Sequence, residues 1–272
     1  MITEVVQRWR EGRAKYRVAG ELMRIDPRRY EVAALDGDGA DNTASAFVKR
    51  HHYAGTYPSA RERIGLYRAG ELVGVAVFSH PPQDLVLSVL PCAREDAAEL
   101  GRLVLLEDVE DNGETWFIAR AFAELRRRGY AGIVSFADPV PRTTAGGEVI
   151  FPGHIGRIYQ ASNAVFTGRA SPRTKRLLPD GRVFDERAWS KIRARHTGWR
   201  YAVDQLVAAG AVPPMRTATA ADLCTWLKAE LSRCTRPFRH RGNYRYLFGL
   251  HPAVRHQLQP LAQPYPKFTM PR

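Results

Sequence analysis

Apolar and polar positions alternate over residues 62–79, where Ile64, Leu66, Leu72, Val73, Val75 and Val77 flank a turn at Ala69, Gly70 and Glu71. A period of two around a short glycine turn predicts a β-hairpin. Residues 100–106 are largely apolar and predict a central strand of the sheet. The period then lengthens: Trp116, Phe117, Ala121, Phe122 and Leu125 fit one face of a helix that starts at Asp111 or Asn112 and stops at Gly129. A strand over 131–137 follows and is ended by Asp138-Pro139, because proline biases its predecessor away from helix. Strand, helix and strand in that order predict a right-handed parallel crossover.

Flanking elements are shorter. Residues 30–35 predict a strand, and the turn-rich DGDGADN leads to a helix capped by Asp41, Asn42 or Thr43 that runs through Ala46, Phe47 and Val48 to His51-His52-Tyr53, with Gly55 as its stop. A Gly, Pro and Thr-rich loop over 140–153 precedes a short helical segment with His154, Tyr159, Gln160 and Asn163, then a strand at 164–167. Beyond it, 185–209 reads as two helices broken near Thr197-Gly198, and 219–233 as another. The final PYPKF reads as an ordered, docking tail. The fold class implied is mixed α/β, with a core over residues 1–170 and a helical extension over 171–272.

Charge sharpens that division. The net charge is +13, yet residues 1–150 carry 20 Lys and Arg against 22 Asp and Glu, whereas 151–272 carry 21 against 6. So lopsided a field fits a polyanion, since neutralised phosphates release counterions and drive binding. Arg outnumbers Lys there, and Trp189, Trp199, Tyr201, Phe238, Tyr244 and Tyr246 are interleaved, which favours nucleic acid over an acidic membrane or protein. The expected contacts are Arg169, Arg173, Lys175, Arg176, Lys191, Arg193, Arg195, Arg200, Arg239, Arg241 and Arg245. No apolar run is long enough to span a bilayer and MITEVVQRWREGRAKYR lacks a signal-peptide core, so a soluble, cytoplasmic protein without a membrane partner is expected. Cys92, Cys224 and Cys234 are too scattered for zinc-type pairs and odd in number, which speaks against a disulfide framework.

Asp138 closes a strand at its carboxyl end, where open α/β sheets place ligands. Around it Tyr53, Ser135, His154, Tyr159 and Asn163 complete a polar set. A carboxylate with phenols and an imidazole suits a hard metal such as iron, a proton relay around an amine nucleophile, or a hydrogen-bonded structural network. No P-loop, HExxH or Ser-His-Asp spacing is present, so hydrolase and NTPase readings lack a foothold.

The pieces FVKRHHYAG (47–55), SFADP (135–139), GHIGRIYQASN (153–163) and FTG (166–168) resemble the phage Mom family of DNA modification proteins, over about residues 42–170. The resemblance implies a divergent GNAT acyltransferase fold, whose order of elements the predicted hairpin, strand, helix, strand, short helix and strand follow. It implies modification of the N6 amine of adenine in double-stranded DNA to a carbamoylmethyl form that resists restriction, in the host cytoplasm. It further implies iron held by Tyr53 and Asp138, puts Arg102 and Ser135 at matching family positions, and places His154, Tyr159 and Asn163 in the matching GHxGxIYxAxN. One stretch departs from the fold: where acyl-CoA users carry a glycine-rich pyrophosphate loop, this chain has LEDVEDNGETW, and acids there repel a pyrophosphate. A donor other than an ordinary acyl-CoA is therefore expected, with an activated glycyl group on tRNA ahead of acetyl-CoA and tRNA a second nucleic-acid partner. An acyltransferase acting on a protein or aminoacyl substrate, and a non-enzymatic nucleic-acid-binding protein, are the alternatives.

Overall fold

The computed structural model describes residues 24–81 and 83–267, together with the backbone of two paired antiparallel strands, β1 (Val5–Arg10) and β2 (Arg13–Val18). The chain continues through β3 (Tyr30–Ala34), α1 (Ala40–His51), β4 (Ala60–Arg68), β5 (Glu71–Ser79), β6 (Ala97–Leu105), α2 (Gly113–Arg127) and β7 (Gly132–Ala137). A hairpin, β8 (Arg142–Thr143) and β9 (Val149–Phe151), leads to α3 (Arg157–Ala161) and β10 (Val165–Arg169). Then come β11 (Arg173–Leu177), β12 (Val183–Phe184), α4 (Glu186–Ala194), α5 (Trp199–Ala208), α6 (Ala220–Cys234) and β13 (Arg236–His240), and finally β14 (Tyr244–Gly249) and α7 (Pro252–Leu258). The class is the mixed α/β one expected.

Two compact units divide the chain: Met1–Pro139, His154–Arg169 and Asn243–Arg272 form the first, Val140–Gly153 and Ala170–Gly242 the second. The first is built on a seven-stranded sheet of order β10-β14-β7-β6-β5-β4-β3. Its strand β5, next to the central β6, is buried along nearly its whole length, as a strand covered on both faces must be. On one face Ile64, Leu66, Phe78 and Ile133 pack with Phe117, Ala121 and Leu125 of α2; on the other, Val75, Val77 and Val104 pack with Ala44 and Val48 of α1. Strands β6 and β7 are the parallel pair expected of the crossover, but they pair only over Ala97–Glu99 and Gly132–Val134. Beyond that, β6 follows β5 and β7 follows β14, so the two strands part and open a wedge in the sheet.

Two expectations need correction. The division at residue 170 does not hold to the end of the chain, because β14 returns to the central sheet between β10 and β7 with Tyr246 and Phe248 in the main core. Pairing with strands about a hundred residues earlier is what assigns it there, and local composition does not carry that information. The cap of α1 is Gly39, with φ 82°, rather than Asp41, Asn42 or Thr43. Asp41 instead accepts Arg63 Nε at 2.7 Å and the Tyr57 hydroxyl at 2.9 Å. The tail docks as expected: Gln263 N–H donates to Phe166 O at 2.8 Å and the Tyr265 hydroxyl to Ala164 O at 2.6 Å.

The second unit has its own core, in which Leu178, Phe184, Ile192, Leu206, Leu223 and Leu227 join α4, α5 and α6 to the sheet β12-β11-β13. Its helices fall where their patterns place them, α4 capped by Asp185 and α6 by a reciprocal Thr219-Asp222 capping box. No helix among the described residues is long and apolar enough to cross a membrane.

Candidate active site

The wedge between β6 and β7 gathers polar groups from three parts of the first unit. Arg102, on β6, is fixed by the segment that follows α1: its Nε donates to Thr56 O at 2.9 Å and its Nη2 to Thr56 Oγ1 at 2.7 Å. Nη1 donates to Gly101 O at 2.6 Å. A guanidinium has five N–H donors, so about two remain for a substrate. Burial lowers the pKa of Arg102, while the charges of Tyr53, Glu99 and Tyr159 in their ionised forms oppose that shift.

At the end of α1, His52 turns extended, with φ −93° and ψ 134°. Its Nδ1 accepts the Ala54 N–H at 3.1 Å, which leaves the proton of the neutral ring on Nε2. Burial, then the charges of Arg102 and His154, push its pKa down to about 3, so the ring is neutral at pH 7. His52 stacks on Tyr53 at 4.3 Å between centroids, and the Tyr53 hydroxyl lies 3.4 Å from His154 Nε2. Tyr53 is 39% exposed and so opens this group to solvent.

His154 is clipped to the end of β7 by its N–H, which donates to Asp138 O at 2.7 Å. Gly156 then starts α3 with φ +73°, and a Cβ there would lie 2.7 Å from the Tyr246 ring, 2.8 Å from Tyr159 and 3.1 Å from Ala137. Only glycine lets the helix lie this close to the sheet. Tyr159 is thereby buried against Tyr246 and Phe248, at 5.3 and 6.2 Å between centroids. Ser135 spans the wedge by donating from Oγ to Leu100 O at 3.0 Å. Burial raises the pKa of Tyr159, opposed by its hydrogen bond with Ser135, so its phenol keeps its proton at neutral pH.

The family model of the Mom protein family matches residues 38–267. The chain belongs to the Mom protein family. Among curated proteins no match is found. Among solved structures it is similar to a tandem GNAT protein from the clavulanic acid biosynthesis pathway, with 12% identity, 82% of this chain and 99% of that chain covered, and a TM-score of 0.43. It is also similar to a Bacillus subtilis acetyltransferase in complex with CoA, with 10% identity, 82% and 99% coverage, and a TM-score of 0.32.

In this Mom-family chain Tyr53, Arg102, Ser135, Asp138, His154 and Tyr159 are positioned by the wedge strands and the two segments clipped to them. Asn163 has a different setting. It is exposed on the turn leaving α3 with φ +60°, a conformation asparagine tolerates better than most residues. The iron expected at Tyr53 and Asp138 finds no support here: among the described residues no group of three His, Cys, Asp or Glu side chains could hold a metal ion. Sequence reasoning missed Thr56, Glu99 and His52. His52 lay within the HHY motif; Thr56 and Glu99 carried no local signal.

Acids of the LEDVEDNGETW segment are held by residues from elsewhere in the first unit. Glu110 is buried and accepts Tyr30 Oη and, at 2.5 Å, Arg29 Nη1, while Asp108 pairs with Arg68. Asp111 O takes the Ile25 N–H at 3.0 Å. Basic residues of the expected nucleic-acid surface differ in how they are held. Arg245 is half-buried, its Nε donating to Thr167 Oγ1 at 2.8 Å, and Arg169 lies over the Tyr244 ring at 4.8 Å. Arg173 faces Glu186 at 3.8 Å, Arg239 donates to Thr174 at 3.4 Å, and Lys175 and Arg176 are half-buried. Lys191, Arg193, Arg195, Arg200 and Arg241 are exposed.

Proposed function

We propose that this Mom-family protein is a transferase that modifies the N6 amine of adenine in double-stranded DNA, by acyl or glycyl transfer that ends in a carbamoylmethyl-type group and protects phage DNA from restriction. What supports the reading is the family match over residues 38–267, together with an Arg102 anchored on Thr56 and a Tyr53 hydroxyl 3.4 Å from His154 Nε2. Such chemistry requires the base to be turned out of the helix. Asp138 or His154 takes the proton of the attacking amine, Arg102 stabilises the oxyanion with its remaining donors, and Tyr159 gives its proton to the leaving oxygen.

The acids of LEDVEDNGETW argue against an ordinary acyl-CoA as donor, and an activated glycyl ester, such as glycyl-tRNA, suits the excess of basic residues. The N6 amine attacks the glycyl carbonyl, the ester C–O bond breaks, and the departing hydroxyl takes the proton, giving N6-glycyladenine. Attack of the glycyl amine on C6 through a five-membered ring, followed by expulsion of the original N6, yields the isomeric carbamoylmethyl amine. Nucleoside mass spectrometry of DNA from cells expressing the protein, fed labelled glycine, tests this: both carbons and the nitrogen should appear in the modified adenine. Unmodified nucleosides would refute the activity, and label from acetyl-CoA alone would refute the donor.

A further inference from the structure

The arginines of the two units are held differently. In the first unit Arg29, Arg63, Arg68 and Arg128 are each paired with Asp or Glu side chains. In the second unit residues 170–242 hold 15 Lys and Arg against 6 Asp and Glu, and the ion pairs there join Arg173 to Glu186, Arg182 to Asp180 and Arg233 to Glu230. Lys191, Arg193, Arg195 and Arg200 are paired with no carboxylate among the described residues.

Three of these cations converge on the turn between α4 and α5. Arg195 ends α4 with φ +49°, and Gly198 precedes α5 with φ +81°. The Arg195 guanidinium carbon lies 5.7 Å and that of Arg200 5.3 Å from the centroid of the same indole, Trp199. The Nζ of Lys191 reaches the turn as well, 3.5 Å from where a Cβ at Gly198 would stand. Trp199 is itself half-buried against the core of the unit, so it fixes where the guanidiniums sit. Like charges gathered near one ring repel, and an anion bound beside them relieves that repulsion. Because both guanidiniums already rest near the Trp199 ring, they lose less side-chain freedom when the anion arrives.

We propose that the α4–α5 turn is a phosphate clamp on the DNA backbone, with one phosphate held between Arg195 and Arg200 beside Trp199 and Lys191 engaging the same strand. This rests on the reading of the protein as a DNA-modifying enzyme and adds where the duplex is gripped. The clamp reads no sequence, because phosphates are alike along the duplex.

The test is fluorescence anisotropy of a short labelled DNA duplex over a salt series, with the full-length protein. Arg195→Ala/Arg200→Ala should bind at least about tenfold more weakly at physiological salt, and the slope of log affinity against log salt should fall by about 2. Arg195→Lys/Arg200→Lys should keep most of the slope, and an unchanged melting temperature shows that the fold is intact; should the alanine variant unfold, Arg195→Gln/Arg200→Gln takes its place. Unchanged affinity and slope in a folded charge-removing variant overturn the clamp, and so does a wild-type protein that binds no duplex. Deacylated tRNA displacing the probe at lower concentration than unlabelled duplex overturns the choice of DNA. Nucleoside mass spectrometry separates the two readings: modified adenine with an unchanged slope sinks the clamp alone, and the expected slope change with unmodified DNA sinks the activity alone.

Discussion

The Tyr53 hydroxyl stands 3.4 Å from His154 Nε2, across 101 residues of chain. One group comes from the end of α1 and the other from the loop clipped to β7, so their meeting depends on both segments reaching the wedge. Tyr53→Phe keeps the ring that stacks on His52 and removes only the hydroxyl. DNA modification in cells should fall by about a hundredfold or more, the range of a lost proton-transfer partner, with melting temperature unchanged. Wild-type levels of modified nucleoside in this variant would take Tyr53 out of the chemistry.

Arg102 depends on Thr56 for its placement. Arg102→Lys keeps a charge but lacks the planar fork, and should lower the modification rate by about 10²–10³, the scale of one lost oxyanion donor. Thr56→Val leaves the bond to the Thr56 carbonyl and removes the one to its hydroxyl, so a smaller loss, about tenfold, is expected. If Thr56→Val proved more damaging than Arg102→Lys in the same assay, the hydroxyl of Thr56 and not its arginine partner would be the group that matters.

His52 ties stability to pH. Its folded pKa of about 3 lies below the ordinary 6.5, so between those values the unfolded chain binds the extra proton. Stability should therefore rise with pH through that window and level off above it, with a contribution of at most about 1.4 kcal/mol per pH unit. Urea unfolding midpoints measured across the window, for wild type and His52→Gln, check this. The variant should show a shallower slope; identical slopes would mean that His52 is as easily protonated in the folded protein as in the unfolded one.

Gly156 determines whether α3 can lie on the sheet. Alanine there meets Tyr246 and Tyr159 at 2.7 and 2.8 Å and must adopt φ +73°. Gly156→Ala should destabilise the protein by about 2 kcal/mol or more, read as a lower melting temperature. An unchanged melting temperature would show that α3 shifts freely.

Tyr30 and Arg29 both bind the buried Glu110 carboxylate of the acidic LEDVEDNGETW segment. Tyr30→Phe leaves a buried carboxylate with one partner fewer and should cost about 1–3 kcal/mol in chemical denaturation. Calorimetry of the wild type with acetyl-CoA should show binding no tighter than about 1 mM, near −4 kcal/mol. Micromolar binding would reverse the reading of the loop.

Much of this was legible in the chain itself, because local periodicity and turn residues carry it. The hairpin of β4 and β5, α2 between β6 and β7, and the break between α4 and α5 follow from spacing, glycines and caps that act within a few residues. The motifs around Tyr53 and Asp138, and the run of acids in LEDVEDNGETW, were equally visible as residue types. Tertiary structure decided the rest, since it depends on contacts between residues far apart in sequence. The return of β14 to the sheet, the parting of β6 from β7 after three paired residues, and the capture of Arg102 by Thr56 all arise from such pairing. The neutral state of His52 belongs with them, because burial fixes it and no neighbouring residue in the sequence reports burial.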